Sequence, residues 1–212
     1  MFKKTLALMS VIGLLFVSTG ASAGTWEHTR EGFLIGFSAG AGGAALELAP
    51  TSGGTITSER EGGGAGNFRV GYAVKPSLAL AFESNAWGKS ENATILGTEF
   101  DFSYRVQVAA FAATWYPNAG GLFLRGGLGI GTGKIEVKNQ GASTEIKDSG
   151  FGFLAAAGYE WRLTQKFALG PQVDFGYMSL GEVDATDDAG DPVRADYSVN
   201  YVNVSLGFNW YW

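Results

Sequence analysis

The chain has 212 residues, 15 basic against 20 acidic side chains, no cysteine and 33 glycines. The acidic balance excludes nucleic-acid partners, which need clustered Lys and Arg. The missing cysteines exclude disulfide frameworks, thiolate metal sites and cysteine nucleophiles together.

Lys3 and Lys4 precede an apolar stretch from Leu6 to Val17 and the small-residue site Ala21-Ser22-Ala23. This pattern predicts a secretory signal peptide over residues 1–23, with one domain over 24–212. The apolar stretch is shorter than the ~20 residues a spanning helix needs, and removing Lys3 and Lys4 leaves a net charge of −7. No later run approaches helix-spanning length. If the chain crosses a membrane it crosses as a closed β-barrel, since lipid leaves no partner for an unpaired backbone group.

Eight alternating segments follow, each read as a strand from its period of two. The first, about 32–42, places Phe33, Ile35, Phe37 and Ala39 on one face; the second, about 66–75, places Phe68, Val70, Tyr72 and Val74. The third, 78–87, carries Leu78, Leu80 and Phe82. The fourth, 100–116, is assigned an apolar face of Phe102, Tyr104, Val106 and Val108. Leu122, Leu124, Leu128 and Ile130 mark the fifth, 121–131, and Phe153, Ala155, Tyr159 and Trp161 the sixth, 150–163. The seventh, 167–179, presents Leu169, Val173, Phe175 and Tyr177, while Pro171 costs it a ladder donor and implies a bulge. In the eighth, Val202, Val204, Leu206, Phe208, Trp210 and Trp212 alternate with Asn203, Ser205, Gly207, Asn209 and Tyr211. The glycines recur at one phase, as a crowded interior requires.

Short turns at Lys75-Pro76-Ser77, Pro117 to Gly120 and Leu163 to Lys166 alternate with long loops at about 43–65, 88–99, 132–149 and 180–197. The predicted fold is therefore all-β: an eight-stranded antiparallel up-and-down transmembrane β-barrel with short periplasmic turns and longer extracellular loops.

Charge gives a second test of the phase. Arg69, Glu83, Arg105, Arg125, Glu160, Arg162 and Asp174 fall inside the strands, opposite the assigned apolar faces. A charge on the lipid face at mid-depth costs about 2–4 kcal/mol. A soluble barrel would instead scatter lysine and glutamate over its wet face, whereas here the lysines keep to turns, loops and strand ends. Eight strands enclose a lumen that side chains fill, so these charges are read as a structural salt-bridge network, with Arg69–Glu83 its clearest pair, and no open pore is expected.

Aromatic residues gather at two levels. Phe33, Tyr72, Trp115, Tyr116, Tyr159, Trp161, Phe167, Trp210, Tyr211 and Trp212 lie near the short turns, and Phe100, Phe102, Phe151, Phe153 and Tyr177 near the long loops. Two interfacial girdles are the natural reading.

Gly32-Phe33-Leu34-Ile35-Gly36, Thr114-Trp115-Tyr116-Pro117, Leu122-Phe123-Leu124-Arg125-Gly126-Gly127 and the ending Gly207-Phe208-Asn209-Trp210-Tyr211-Trp212 together resemble the small Gram-negative outer-membrane barrels of the OmpX and OmpA membrane-domain type. The resemblance covers essentially the whole mature chain. It implies export to the outer membrane, with Phe208, Trp210 and Trp212 as the signal read by the outer-membrane assembly machinery. The implied surroundings are outer-membrane lipids and lipopolysaccharide, around a monomer without nucleic acid, metal or cofactor.

Function is read as a structural and surface role, with recognition or adhesion through the external loops. Two alternatives stand beside it: a narrow conduit for small hydrophobic compounds of the OmpW type, and a lipid-A-modifying enzyme. The latter needs a histidine with a serine near the outer leaflet, and His28, before the first strand, is on the wrong side. Loop four holds Glu182, Asp184, Asp187, Asp188, Asp191 and Asp196, oxygen ligands suited to Ca²⁺ but without the EF-hand order. Gly62 to Gly66 lacks the Lys-Ser/Thr ending of a phosphate-binding loop and is read as flexible loop.

Overall fold

The computed structural model describes residues 30–50, 54–95, 98–139, 142–186 and 192–212. The expected signal peptide and His28 lie outside them. Eight long antiparallel strands make the wall: Gly32–Pro50, Glu61–Lys75, Leu78–Ile95, Thr98–Trp115, Leu122–Asn139, Ala142–Tyr159, Phe167–Thr186 and Pro192–Tyr211. Two-residue strands at Ile56–Thr57 and Trp161–Arg162 add to the first and seventh. The first strand pairs with the eighth along its length, so the sheet closes and has no free edge.

The stagger follows from the register. Stepping across pairs from Arg105 through Gly88, Gly64, Ala41, Val204, Val173, Ala157 and Leu124 returns to the fourth strand at Trp115, ten residues along. Eight strands with that shear tilt by about 40–45°. A tilted strand crosses a bilayer in about 9–11 residues, whereas seven of these strands run for 18 to 20. The wall therefore projects roughly eight residues beyond the hydrocarbon on the side away from the short turns.

Three expectations change. Much of each segment assigned to an external loop is strand, including Gly62 to Gly66, which pairs with the first strand. The polar, glycine-rich composition of these segments marks the absence of lipid around them, not the absence of a ladder. Pro171 produces no register shift; the sixth strand instead ends at Tyr159 and pairing resumes at Trp161–Arg162. The shifts fall at Ala73/Lys75 and Tyr197/Ser198.

The third correction is one of phase. In the fourth strand Val106, Val108, Ala110, Ala112 and Thr114 are buried in the lumen, while Phe111 and Trp115 face outward. Arg105 shares their outward phase and is exposed, so it is no part of the lumen network. Its height removes the conflict with lipid: ten residues above Trp115 is about 25 Å along the axis, the full height of the apolar band. Two aromatics also leave the girdle, because Tyr116 and Tyr211 are fully buried inside. Phe33, Tyr72, Trp115, Tyr159 and Trp212 remain exposed on the outer wall near the turns.

Candidate functional site

The lumen is layered. At the turn end, Glu160 is a hub whose Oε2 accepts hydrogen bonds from Tyr211 at 2.9 Å, Asn209 at 3.1 Å and Tyr116 at 3.2 Å. Arg30, just before the first strand, closes this end. Its Nε donates to Glu160 Oε1 at 3.2 Å, and its Nη atoms donate to the carbonyls of Pro76, Ala119 and Gly120 at 3.2, 3.0 and 2.7 Å. One buried guanidinium, lying 3.8 Å over the Tyr116 ring, thus joins two separate turns to the network. The opposing carboxylate and ring supply the compensation that such burial demands.

Above lies a second charged layer. Arg125 Nη1 donates to Glu83 Oε1 at 2.7 Å, both side chains being wholly buried, and Asp174 stands 3.9 Å from the same nitrogen. Asn67 also donates to Glu83, and Gln172 and Ser205 donate to Asp174 at 2.9 and 3.1 Å. Arg69 and Glu83 are register neighbours, but they do not bond to each other. Arg69 instead bonds to Asn209. Gly36 makes this possible, because a Cβ there would lie 2.6 Å from Arg69 Nε. The Arg69–Glu83 pairing is corrected accordingly: inside a narrow barrel a long side chain reaches across the lumen as readily as along the wall. Arg162 donates to the Gln165 carbonyl and lies 5.0 Å from the Tyr211 ring centre.

Charges then give way to apolar packing. Trp87, Val106, Val108, Leu154, Met178, Val199 and Tyr201 form a buried cluster across the lumen, and Tyr201 donates to the Asn85 carbonyl at 3.0 Å. Above this plug the barrel opens into a cup of about 350 Å³, walled by Ala44, Leu46, Trp87, Val106, Ile135, Ile146, Leu180, Tyr197 and Val199, with Lys89, Glu91 and Asp148 among its charged lining. A largely apolar wall above the level of the lipid is the unusual feature here.

Of the residues singled out from sequence, Arg69, Glu83, Arg125, Glu160, Arg162 and Asp174 are buried in the lumen and Arg105 is outside. Phe208, Trp210 and Trp212 take the outward phase; Trp210 lies 4.8 Å from Phe167 and 5.3 Å from Phe37, ring centre to ring centre. Sequence reasoning missed Arg30, Asn67, Gln172 and Asn209. The available signal was parity, since Arg30 shares the inward phase of Leu34, Gly36 and Ser38. Apart from exposed Asp196, the acidic side chains of loop four lie outside the described residues. Among the described residues no three His, Cys, Asp or Glu side chains group as metal ligands.

No curated protein matches the chain in sequence. Among solved structures it is similar to Ail, the attachment invasion locus protein of Yersinia pestis, at 14% identity and TM-score 0.49, over 84% of this chain and 99% of that one. Neisserial surface protein A is similar at 15% and 0.47, over 85% and 97%. OprG of Pseudomonas aeruginosa is similar at 8% and 0.47, over 86% and 98%. Residues 9–211 match the outer membrane protein beta-barrel domain, and with the closed eight-stranded wall this makes the chain a member of that outer-membrane β-barrel family.

Proposed function

We propose that the protein is a sealed outer-membrane barrel whose role is recognition at the cell surface, through the wall and mouth that project above the lipid. The observation that carries this reading is the lumen itself. Two charged layers and an apolar plug fill it from Arg30 to Tyr201, while the strands continue beyond the hydrocarbon. Rigid scaffolds of this kind place binding in their exposed connections. Export through residues 1–23, a surround of outer-membrane lipid and lipopolysaccharide, and assembly through Phe208, Trp210 and Trp212 complete the proposal. No catalytic role is assigned, because the single histidine precedes the first strand.

The test has two arms. Purified protein in planar bilayers should show no ion conductance, and whole cells whose four outer hairpins are cut back to short turns should lose binding to host surfaces that intact cells retain. Steady single-channel currents, or unchanged binding by the trimmed variant, would remove the reading. A conduit for hydrophobic compounds is the second reading, favoured by the apolar cup alone. It requires a way past Arg30 and Glu160 or out through the wall.

A further inference from the structure

The cup and the outer wall share residues. A shallow recess of about 860 Å³ runs along the outside of the barrel over Ala39, Gly64, Gly66, Ser84, Ala86 and Gly88. These outward positions carry almost no side chain, and the recess lies at and below the level of Arg105. Lys89, Tyr104, Arg105 and Lys134 line both this recess and the cup. Here the second and third strands part: their pairing ends at Gly64 and Gly88, although both strands continue. The ion pair of Lys89 with Glu61 spans the gap, and the Trp87 indole packs against Gly63 at its lower end.

The cations at this level differ in their engagement. Lys89 is paired with Glu61 and Glu91, and Lys134 with Glu136 and Glu145 at 3.3 and 3.0 Å. Arg105 is exposed and has no ion pair among the described residues. A cup of about 350 Å³ holds one chain of roughly ten carbons at interior packing density. The apolar part of its wall gives water few partners and an aliphatic chain fills it favourably, while Glu61, Glu91 and Asp148 in the same lining are matched in number by Lys89, Arg105 and Lys134.

We infer that the cup binds the hydrocarbon chain of a single-chain amphiphile with an anionic head, the chain seated between Trp87, Val106 and Ile135 and the head group on Arg105. Such a molecule comes from the outer leaflet, passing from the recess into the cup where the second and third strands part. The inference rests on the surface-recognition reading and gives it a ligand class.

The probe is 10-bromodecanoic acid, added to protein reconstituted in phosphatidylcholine nanodiscs. Its short-range quenching of tryptophan fluorescence should saturate, the saturating part should vanish in Trp87→Phe, and the uncharged amide of the same probe should bind more weakly. Arg105→Gln should weaken the acid by about tenfold, the loss of one exposed charge-assisted contact, and leave the amide unchanged. Ile135→Glu should abolish binding of both. Should that variant lose the heat-modifiable mobility of a folded barrel, Leu46→Glu on the facing wall serves the same purpose. A signal that rises linearly as in empty nanodiscs, or that survives the glutamate variants, overturns the inference. Binding that ignores Arg105→Gln overturns the assignment of the head group. Absence of binding in protein that is also silent in bilayers removes the cup as a site and leaves the sealed-barrel reading standing; currents through the lumen would instead strike at that reading.

Discussion

Removing Glu83 tests the geometry of the lumen most directly. In the wild-type protein its carboxylate meets Arg125 at 2.7 Å with both side chains fully buried. Glu83→Ala therefore leaves a guanidinium in a dry interior, and stranding one member of a buried pair costs about 3–5 kcal/mol. Two contacts moderate the loss: Asp174 lies 3.9 Å away and Gln172 Oε1 3.5 Å. The expected effect is thus about 3 kcal/mol, the lower end of that range, or about 1–3 M in the urea midpoint if m is about 1–3 kcal/mol per molar. Glu91→Ala, which breaks a pair whose glutamate is 55% exposed, should stay within about 0.5 kcal/mol.

The decisive measurement is a pair of double-mutant cycles in lipid vesicles, with unfolding followed by tryptophan fluorescence. Glu83 with Arg125 should couple by more than about 1 kcal/mol, and Glu83 with Arg69 by less than about 0.5, since only contacting partners couple strongly. A larger coupling to Arg69 would restore the pairing that register alone suggests. Equal midpoints for Glu83→Ala and Glu91→Ala would refute the buried network itself.

Arg30→Ala removes the cation that ties two turns to Glu160, so the turns at Pro76 and Ala119 should exchange their amide hydrogens at least about tenfold faster, a local loss above 1.4 kcal/mol; unchanged exchange would deny the latch. Trp212→Asp should leave export intact while reducing heat-modifiable folded protein in the outer membrane, and normal assembly would contradict a role for the terminal aromatics. Hydrogen bonds from the Lys138 and Lys134 ammonium groups hold the Glu136 carboxyl below the ordinary carboxylate range. A depressed folded-state value means that the pairing contributes above the ordinary value and is lost as pH falls through the lowered one. A side-chain NMR titration should therefore place the Glu136 midpoint below the ordinary glutamate range, and Lys138→Gln together with Lys134→Gln should return it to that range.

Where one face was apolar and the other was not, the sequence was legible. The eighth strand separates Val202 to Trp212 from Asn203 to Tyr211 without ambiguity, and its register carries Asn203, Ser205 and Asn209 into the lumen. The third, fifth and seventh strands behave alike, because a buried charge and an exposed Leu, Phe or Val name opposite faces twice over. What sequence could not supply was reach. Whether Glu83 meets Arg69 or Arg125 depends on which neighbouring position lacks a Cβ, and that is a property of three strands at once.

The error in the fourth strand has a physical origin. From Val106 to Ala113 both faces are apolar apart from Gln107, so the period of two disappears and a slip of one residue reverses every assignment above and below it. The slip made Arg105 appear internal and hid a clue, for an arginine on the outward phase is tolerable only where lipid ends. Read with the correct parity, Arg105 marks the upper limit of the hydrocarbon, and the residues beyond it on both faces obey different rules. Outside, Lys134 and Glu136 face water as they would on any soluble sheet. Inside, at the same height, the wall turns apolar at Leu46, Ile135 and Leu180. Membrane burial cannot account for that inversion, since no lipid surrounds these residues; Leu46, Leu180 and Tyr197 pack on the plug of Trp87 and Tyr201 and extend it, whereas Ile135 and Ile146 line the cup without belonging to that cluster. Among the described residues, the apolar wall at Ile135 and Ile146 is the surface that the hydrocarbon chain of the proposed amphiphile covers.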